Sequence, residues 1–245
     1  MSDPKSIVFV GVDVDLFKSC FCKKEDGNWE SNYKFVVLDI NAATASADLS
    51  KILQKPDVLS VVFEDFELDR SLLNILKHYY DTGGLVVFFG IYGEFAAPSG
   101  LSSLFGLSAS EAWSFSAYTC HVYELTSTAT NSFGFGVTEL PYTKSNLLRV
   151  PVQDRWLVPK AMPLHEYIDN DAGFLDGEAP GEMWNNDAKT AKEGYAAYCE
   201  SLYEQCPLAV HKNANGGRLA YLGFVNGDGN VPKIVRALVT KTEIQ

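Results

Sequence analysis

Gly83-Gly84-Leu85-Val86-Val87-Phe88-Phe89-Gly90-Ile91-Tyr92-Gly93 runs from a double glycine through five apolar residues into a glycine-flanked turn. Five consecutive apolar residues bounded by glycines read as a strand buried on both faces. The residues before it predict a helix over 69–82, because Leu72, Leu73, Leu76, Tyr79 and Tyr80 form one apolar stripe at helical spacing. Asp69 or Ser71 can cap its start, and Gly83-Gly84 supplies the left-handed stop. Further upstream, Ile7–Val12, Tyr33–Ile40 and Val58–Phe63 repeat the doubly buried strand pattern, and residues 47–54 form a short helix ended by Pro56. Strands alternating with helices predict βαβ crossovers and a largely parallel α/β sheet.

The pattern changes after residue 100. Residues 113–126 alternate, with Phe115, Ala117, Thr119, His121 and Tyr123 on one face, and predict a long strand in a mixed or antiparallel region. Residues 131–168 are punctuated by Pro141, Pro151, Pro159 and Pro163 and read as short strands and loops. Residues 169–188 are acidic and rich in glycine and asparagine, as a surface loop or lid would be. A helix over about 189–205 follows. A closing hairpin comes next, residues 207–212 and 218–224 joined by Asn213-Ala214-Asn215-Gly216-Gly217, and then a last helix over 231–240. The expected organisation is one α/β domain over 1–245, with 108–190 as an insertion or extension.

Composition narrows the partners. Thirty-one acidic against 20 basic residues give a net charge of −11, and Lys23-Lys24 is followed at once by Glu25-Asp26. Such a surface repels polyphosphate, so neither nucleic acid nor an anionic membrane is expected as a partner. No apolar run approaches the ~20 residues needed to span a bilayer. The five cysteines, an odd number without framework spacing, imply free thiols in a reducing, cytoplasmic setting. No glycine-rich phosphate loop or zinc spacing is present, so no cofactor and no metal are expected. Counting from Asp169, Phe174 and Pro180 stand where a calcium loop needs Gly and Glu.

The helix, Gly83-Gly84, the strand and Gly90-Ile91, together with Leu104-Phe105-Gly106-Leu107 and Gly216-Gly217-Arg218-Leu219-Ala220-Tyr221-Leu222-Gly223-Phe224, resemble the class I glutamine amidotransferase-like superfamily. The resemblance covers residues 5–107 and 206–240 and implies a flavodoxin-like fold. That family's enzymes carry a nucleophilic Cys at the elbow turn and a His and a Glu after the late strand. Here the elbow position falls at about Tyr92, and the late segment reads Phe224-Val225-Asn226-Gly227-Asp228. A tyrosine with a pKa of about 10 is a poor nucleophile, and asparagine cannot serve as a base. The departures therefore argue against glutaminase chemistry.

Open α/β sheets bind ligands beyond the carboxyl ends of their strands. Asp13 and Asp15 follow the first strand, Glu64 and Asp65 the third, and Gly90, Tyr92 and Glu94 the fourth, while Asn226 and Asp228 follow the last. These nine residues are the ligand-binding candidates, and the expected occupant is a small polar ligand or a protein partner, with or without catalysis. The alternative is a hydrolase or isomerase that uses Asp13, Glu64 or Glu94, with 169–188 as its lid. A third reading is a scaffold that associates through the aromatic segment 113–135. Cys120 and His121 are strand neighbours that point to opposite faces, and His78, His165 and His211 read as structural.

Overall fold

The computed structural model describes residues 4–22, 32–63, 69–89, 98–134, 136, 138–161, 195–200, 202, 204–225 and 229–240. Strands β1 (Lys5–Val10), β2 (Tyr33–Leu38), β3 (Val58–Phe63) and β4 (Leu85–Phe89) alternate with helices α1 (Val14–Phe21), α2 (Ala45–Leu53) and α3 (Arg70–Asp81). Then come α4 (Pro98–Phe105), β5 (Ser114–Leu125), α5 (Ser127–Phe133), β6 (Glu139–Arg149), a single 3-10 turn (Val152–Asp154) and β7 (Arg155–Pro159). The last elements are β8 (Gln205–Cys206), β9 (Leu208–Lys212), β10 (Arg218–Leu222) and α6 (Val231–Thr240).

Among the described residues the strands form one ten-stranded sheet in the order β2-β1-β3-β4-β10-β9-β7-β5-β6-β8. The β2–β1, β1–β3, β3–β4 and β4–β10 pairs are parallel. Every pair from β10–β9 outward is antiparallel. The expectation of a largely parallel sheet is thus corrected to a mixed one. The β1-to-β4 run needs helical crossovers and has them, whereas β9 and β10 are joined by the short turn 213–217 and pair antiparallel.

Residues 139–149 correct a second expectation. They form one 11-residue strand, not short strands and loops. Pro141 is accommodated because the β5–β6 ladder is irregular there, stepping from the His121–Thr143 pair to the Tyr123–Leu140 pair, so the proline falls where no ladder donor is required. A further irregularity lies between Phe115 and Ala117. It interrupts the strict alternation read from the sequence, and Phe115 is left exposed. The acidic run 169–188 lies outside the described residues.

Two cores sandwich the sheet. On one face Ile7, Phe9 and Phe89 pack against Phe17 and Phe21 of α1, Phe133 of α5 and Ile234, Val235 and Leu238 of α6. Phe17 makes edge-on ring contacts with Phe9 at 5.0 Å and with Phe89 at 5.5 Å. On the other face Val8, Val10 and Phe88 meet Leu49 of α2, Leu72, Leu76 and Tyr80 of α3, Phe105 of α4, and Trp113. β1, β3 and β4 are therefore covered on both sides, whereas β2, read from the sequence as another doubly buried run, is the edge strand and leaves Val37 60% exposed.

The hairpin turn ties the sheet to α3. Asn213 Nδ2 donates to the Tyr80 carbonyl at 3.2 Å, and Asn215 Nδ2 donates to that of Asp81 at 3.0 Å, satisfying carbonyls that a helix end leaves open. Gly217 must be glycine, since a Cβ there would fall 1.7 Å from the Tyr80 carbonyl oxygen.

Candidate functional site

The parallel strands end together. Val10 is level with Leu38 and Phe63, Phe63 with Phe88, and Leu222 with Phe89. The strand order reverses between β1 and β3, and α/β sheets bind ligands outside the carboxyl ends at such a reversal. The chain leaves β1 through Gly11, at φ 66°, and enters α1 at Asp13. Asp13 accepts a hydrogen bond from the Leu16 N–H at 3.0 Å as the helix N-cap, and Asp15 sits in the first helical turn; both are exposed. Glu64, Asp65, Gly90, Tyr92, Glu94, Asn226 and Asp228 lie outside the described residues.

A second group of side chains meets at the opposite, amino-terminal edge of the parallel strands. There β9 ends at His211 and Lys212, and β10 begins at Arg218, level with Leu85 at the start of β4. The β7–β9 ladder pairs Arg155 with Ala209 and Leu157 with Leu208. Beyond it β9 runs on to Lys212 while the chain before β7 turns away through Val152–Asp154. A cavity of about 330 Å³ opens where the two part. Successive strand residues point to opposite faces, so Val210 and Lys212 line it from one side of the sheet and His211 from the other.

Asp154 organises this edge. It is 2% exposed, and its Oδ2 accepts from Trp113 Nε1 at 2.9 Å. Both carboxylate oxygens lie within reach of His211 Nδ1, at 3.2 and 3.1 Å. A carboxylate only accepts, so Nδ1 carries the proton and Nε2 is the histidine's other working atom. The hydrogen bond to Asp154 raises the His211 pKa above its ordinary value, outweighing burial, and the Asp154 and Glu111 charges add to the effect. Trp113 is itself fixed, its backbone N–H donating to Ser102 Oγ at 2.7 Å.

Glu111 faces the same cavity. Ser108 holds its carboxylate through Oγ at 2.6 Å and the backbone N–H at 3.1 Å, which keeps its pKa below the ordinary carboxylate value. Arg218 is 6% exposed, and burial lowers its pKa. An imidazole oriented by a buried carboxylate, with guanidinium and ammonium groups nearby, can hold a proton at Nε2 and present positive charge to a small ligand.

The sequence places His211 in a strand beside Lys212 and reads it as structural; its partner lies 57 positions away in the chain. Asp154 stands in a proline-bounded segment with no motif around it, so no local signal links the two. His78 is exposed on α3, His165 lies outside the described residues, and His121 is buried on β5, where burial lowers its pKa. All five cysteines are free thiols. Among the described residues no three His, Cys, Asp or Glu side chains come together as metal ligands, and no helix is long and apolar enough to cross a membrane.

No family model matches the sequence, and no curated protein matches it. Among solved structures the chain is similar to a ThuA-like protein from Bacteroides uniformis, with a TM-score of 0.54 and 11% identity over 98% of this chain and 94% of that one. At that identity the likeness is one of fold: an α/β mixed sheet flanked by helices, shared along nearly the whole length of both chains.

Proposed function

We propose that the chain is a non-glutaminase member of the class I glutamine amidotransferase-like superfamily, with a flavodoxin-like parallel half, that binds a small polar ligand in the crevice at the carboxyl edge. The observation that carries this reading is the order β2-β1-β3-β4-β10, which is the flavodoxin-like order with its reversal between β1 and β3. Asp13 and Asp15 follow one strand of that reversal, and Glu64 and Asp65 follow the other. The similarity to a ThuA-like protein, whose class belongs to that superfamily, supports the same frame. Tyr92 and Asn226 at the family's nucleophile and base positions support binding without amide hydrolysis.

A thermal-shift screen against glutamine, sugars, polyols, amino acids, nucleotides and divalent cations tests the proposal. A ligand at 100 times its dissociation constant adds about 2.7 kcal/mol, a rise of roughly 5–10 °C for a domain of this size. The expected hit is a polar compound whose shift is lost in Glu64→Gln, Tyr92→Phe or Asn226→Ala. A hit that survives all three substitutions would move the site elsewhere. Silence across the panel would reject a small ligand in favour of a protein partner, to be sought by pull-down.

A further inference from the structure

We propose that Asn215 is a site of spontaneous deamidation, held in check by the docking of the hairpin turn on the end of α3, and that conversion of its amide to a carboxylate loosens that docking. Asn215 is exposed at the tip of the β9–β10 turn and is followed by Gly216. In the reaction the Gly216 backbone nitrogen gives up its proton to hydroxide and bonds to Asn215 Cγ. The Cγ–Nδ2 bond breaks, and the NH2 group takes a proton from water and leaves as ammonia. Water then opens the cyclic imide at either carbonyl, which leaves aspartate or isoaspartate at position 215. A glycine in the following position favours this attack because it has no Cβ to obstruct the approach of its nitrogen.

The native turn opposes each part of the step. The Gly216 N–H donates to the Asn213 carbonyl at 3.1 Å, so the attacking nitrogen is committed to another acceptor. The Asn215 backbone N–H donates to Asn213 Oδ1 at 3.0 Å, and its Nδ2 donates to the Asp81 carbonyl at 3.0 Å, so the residue is held at both ends. Asn213 anchors the turn. Its Oδ1 also accepts from the Gly217 N–H at 2.8 Å, and its Nδ2 donates to the Tyr80 carbonyl at 3.2 Å. Ring closure needs the Asn215 amide released and the Gly216 N–H open to solvent, so the turn must first lift from α3.

The product cannot restore what the reaction removes. Asp81 is the last residue of α3, and its carbonyl belongs to the negative end of the helix dipole. The amide of Asn215 donates to that carbonyl, whereas a carboxylate only accepts and brings a negative charge to a negative end. The isoaspartate product also lengthens the backbone of a turn closed by the Asn213 N–H on the Gly217 carbonyl at 2.9 Å.

The test is incubation of the full chain at mildly alkaline pH, in native buffer and in urea, with peptide mapping by mass spectrometry for the exchange of NH2 for OH. Asn226-Gly227, the other Asn-Gly pair of the sequence, serves in urea as a clock for the same dipeptide. In urea, position 215 is expected to convert at a rate close to that of position 226. In the native chain it should convert at least about tenfold more slowly than in urea, a factor that needs only about 1.4 kcal/mol of closure. Asn213→Ala, checked for folding by circular dichroism, should speed conversion at 215 severalfold in native buffer and leave the urea rate unchanged. Asn215→Asp should lower Tm by about 2–5 °C, and Asn215→Ala by less, since it loses the donor without adding charge. The proposal is overturned if position 215 keeps its amide in urea while position 226 converts, or if it converts as fast in the native chain as in urea. It is overturned equally if the folded Asn213→Ala chain converts at the wild-type rate, or if Asn215→Asp melts with the wild type. The wild-type comparison of buffer with urea decides the gating even where a variant does not fold.

Discussion

Asp154→Asn probes the buried network with almost no change of shape. In the wild type the carboxylate accepts from Trp113 Nε1 at 2.9 Å and from His211 Nδ1 at 3.1 Å, at a site 2% exposed. An asparagine keeps one acceptor oxygen and turns an NH2 group toward the second donor, so one charge-assisted hydrogen bond is lost and one buried donor is stranded. A hydrogen bond to a charged group contributes about 1.5–3 kcal/mol and a stranded donor costs about 1–3, so the expected loss is roughly 3 kcal/mol. For a domain of this size that lowers Tm by about 6–12 °C.

The loss should depend on pH with a definite sign. The folded-state pKa of His211 lies above its unfolded value of 6.5. The ion-pair share of its stabilisation is therefore complete below 6.5 and disappears as pH rises through the folded-state pKa. The neutral imidazole still donates Nδ1–H, so part of the wild-type advantage persists at alkaline pH. Urea denaturation of both proteins across that range measures the gap. A gap under about 0.5 kcal/mol, the size of an ordinary surface substitution, would refute the buried network. A gap that does not change with pH would refute the ion pair.

His121 should act in the opposite sense: burial holds its pKa below 6.5, so it costs stability as pH falls below that value, and His121→Phe should flatten the acid side of a stability profile measured by denaturation. Gly217→Ala drives a methyl into the Tyr80 carbonyl and should destabilise by about 1–3 kcal/mol or more in urea, the usual cost of overpacking. Cys206 is fully buried and its thiol is pushed up to about 11, so alkylation of the native protein followed by mass spectrometry should spare it and modify the partly exposed Cys20, Cys22 and Cys199. Labelling of Cys206 at their rate would contradict its burial.

The sequence by itself determined the elements whose signal is local. The apolar stripe Leu72, Leu76, Tyr80 specified α3, and of its two candidate caps, Asp69 and Ser71, it is Asp69 that accepts, from the Ser71 N–H. The double-sided apolar runs specified β1, β3 and β4 as covered strands, and Gly216-Gly217 specified the hairpin turn. These follow from propensity and periodicity, which act between residues a few positions apart. Tertiary structure decided what depends on partners distant in the chain. Pairing direction made the sheet mixed, and a ladder irregularity let Pro141 sit inside β6. Asp154 became a buried acceptor only when the fold brought Trp113, 41 positions before it, and His211, 57 positions after it, to one sheet edge. No periodic pattern encodes such a meeting, because the energy that enforces it is the cost of leaving those polar groups unpaired in a core that forms only when the strands assemble.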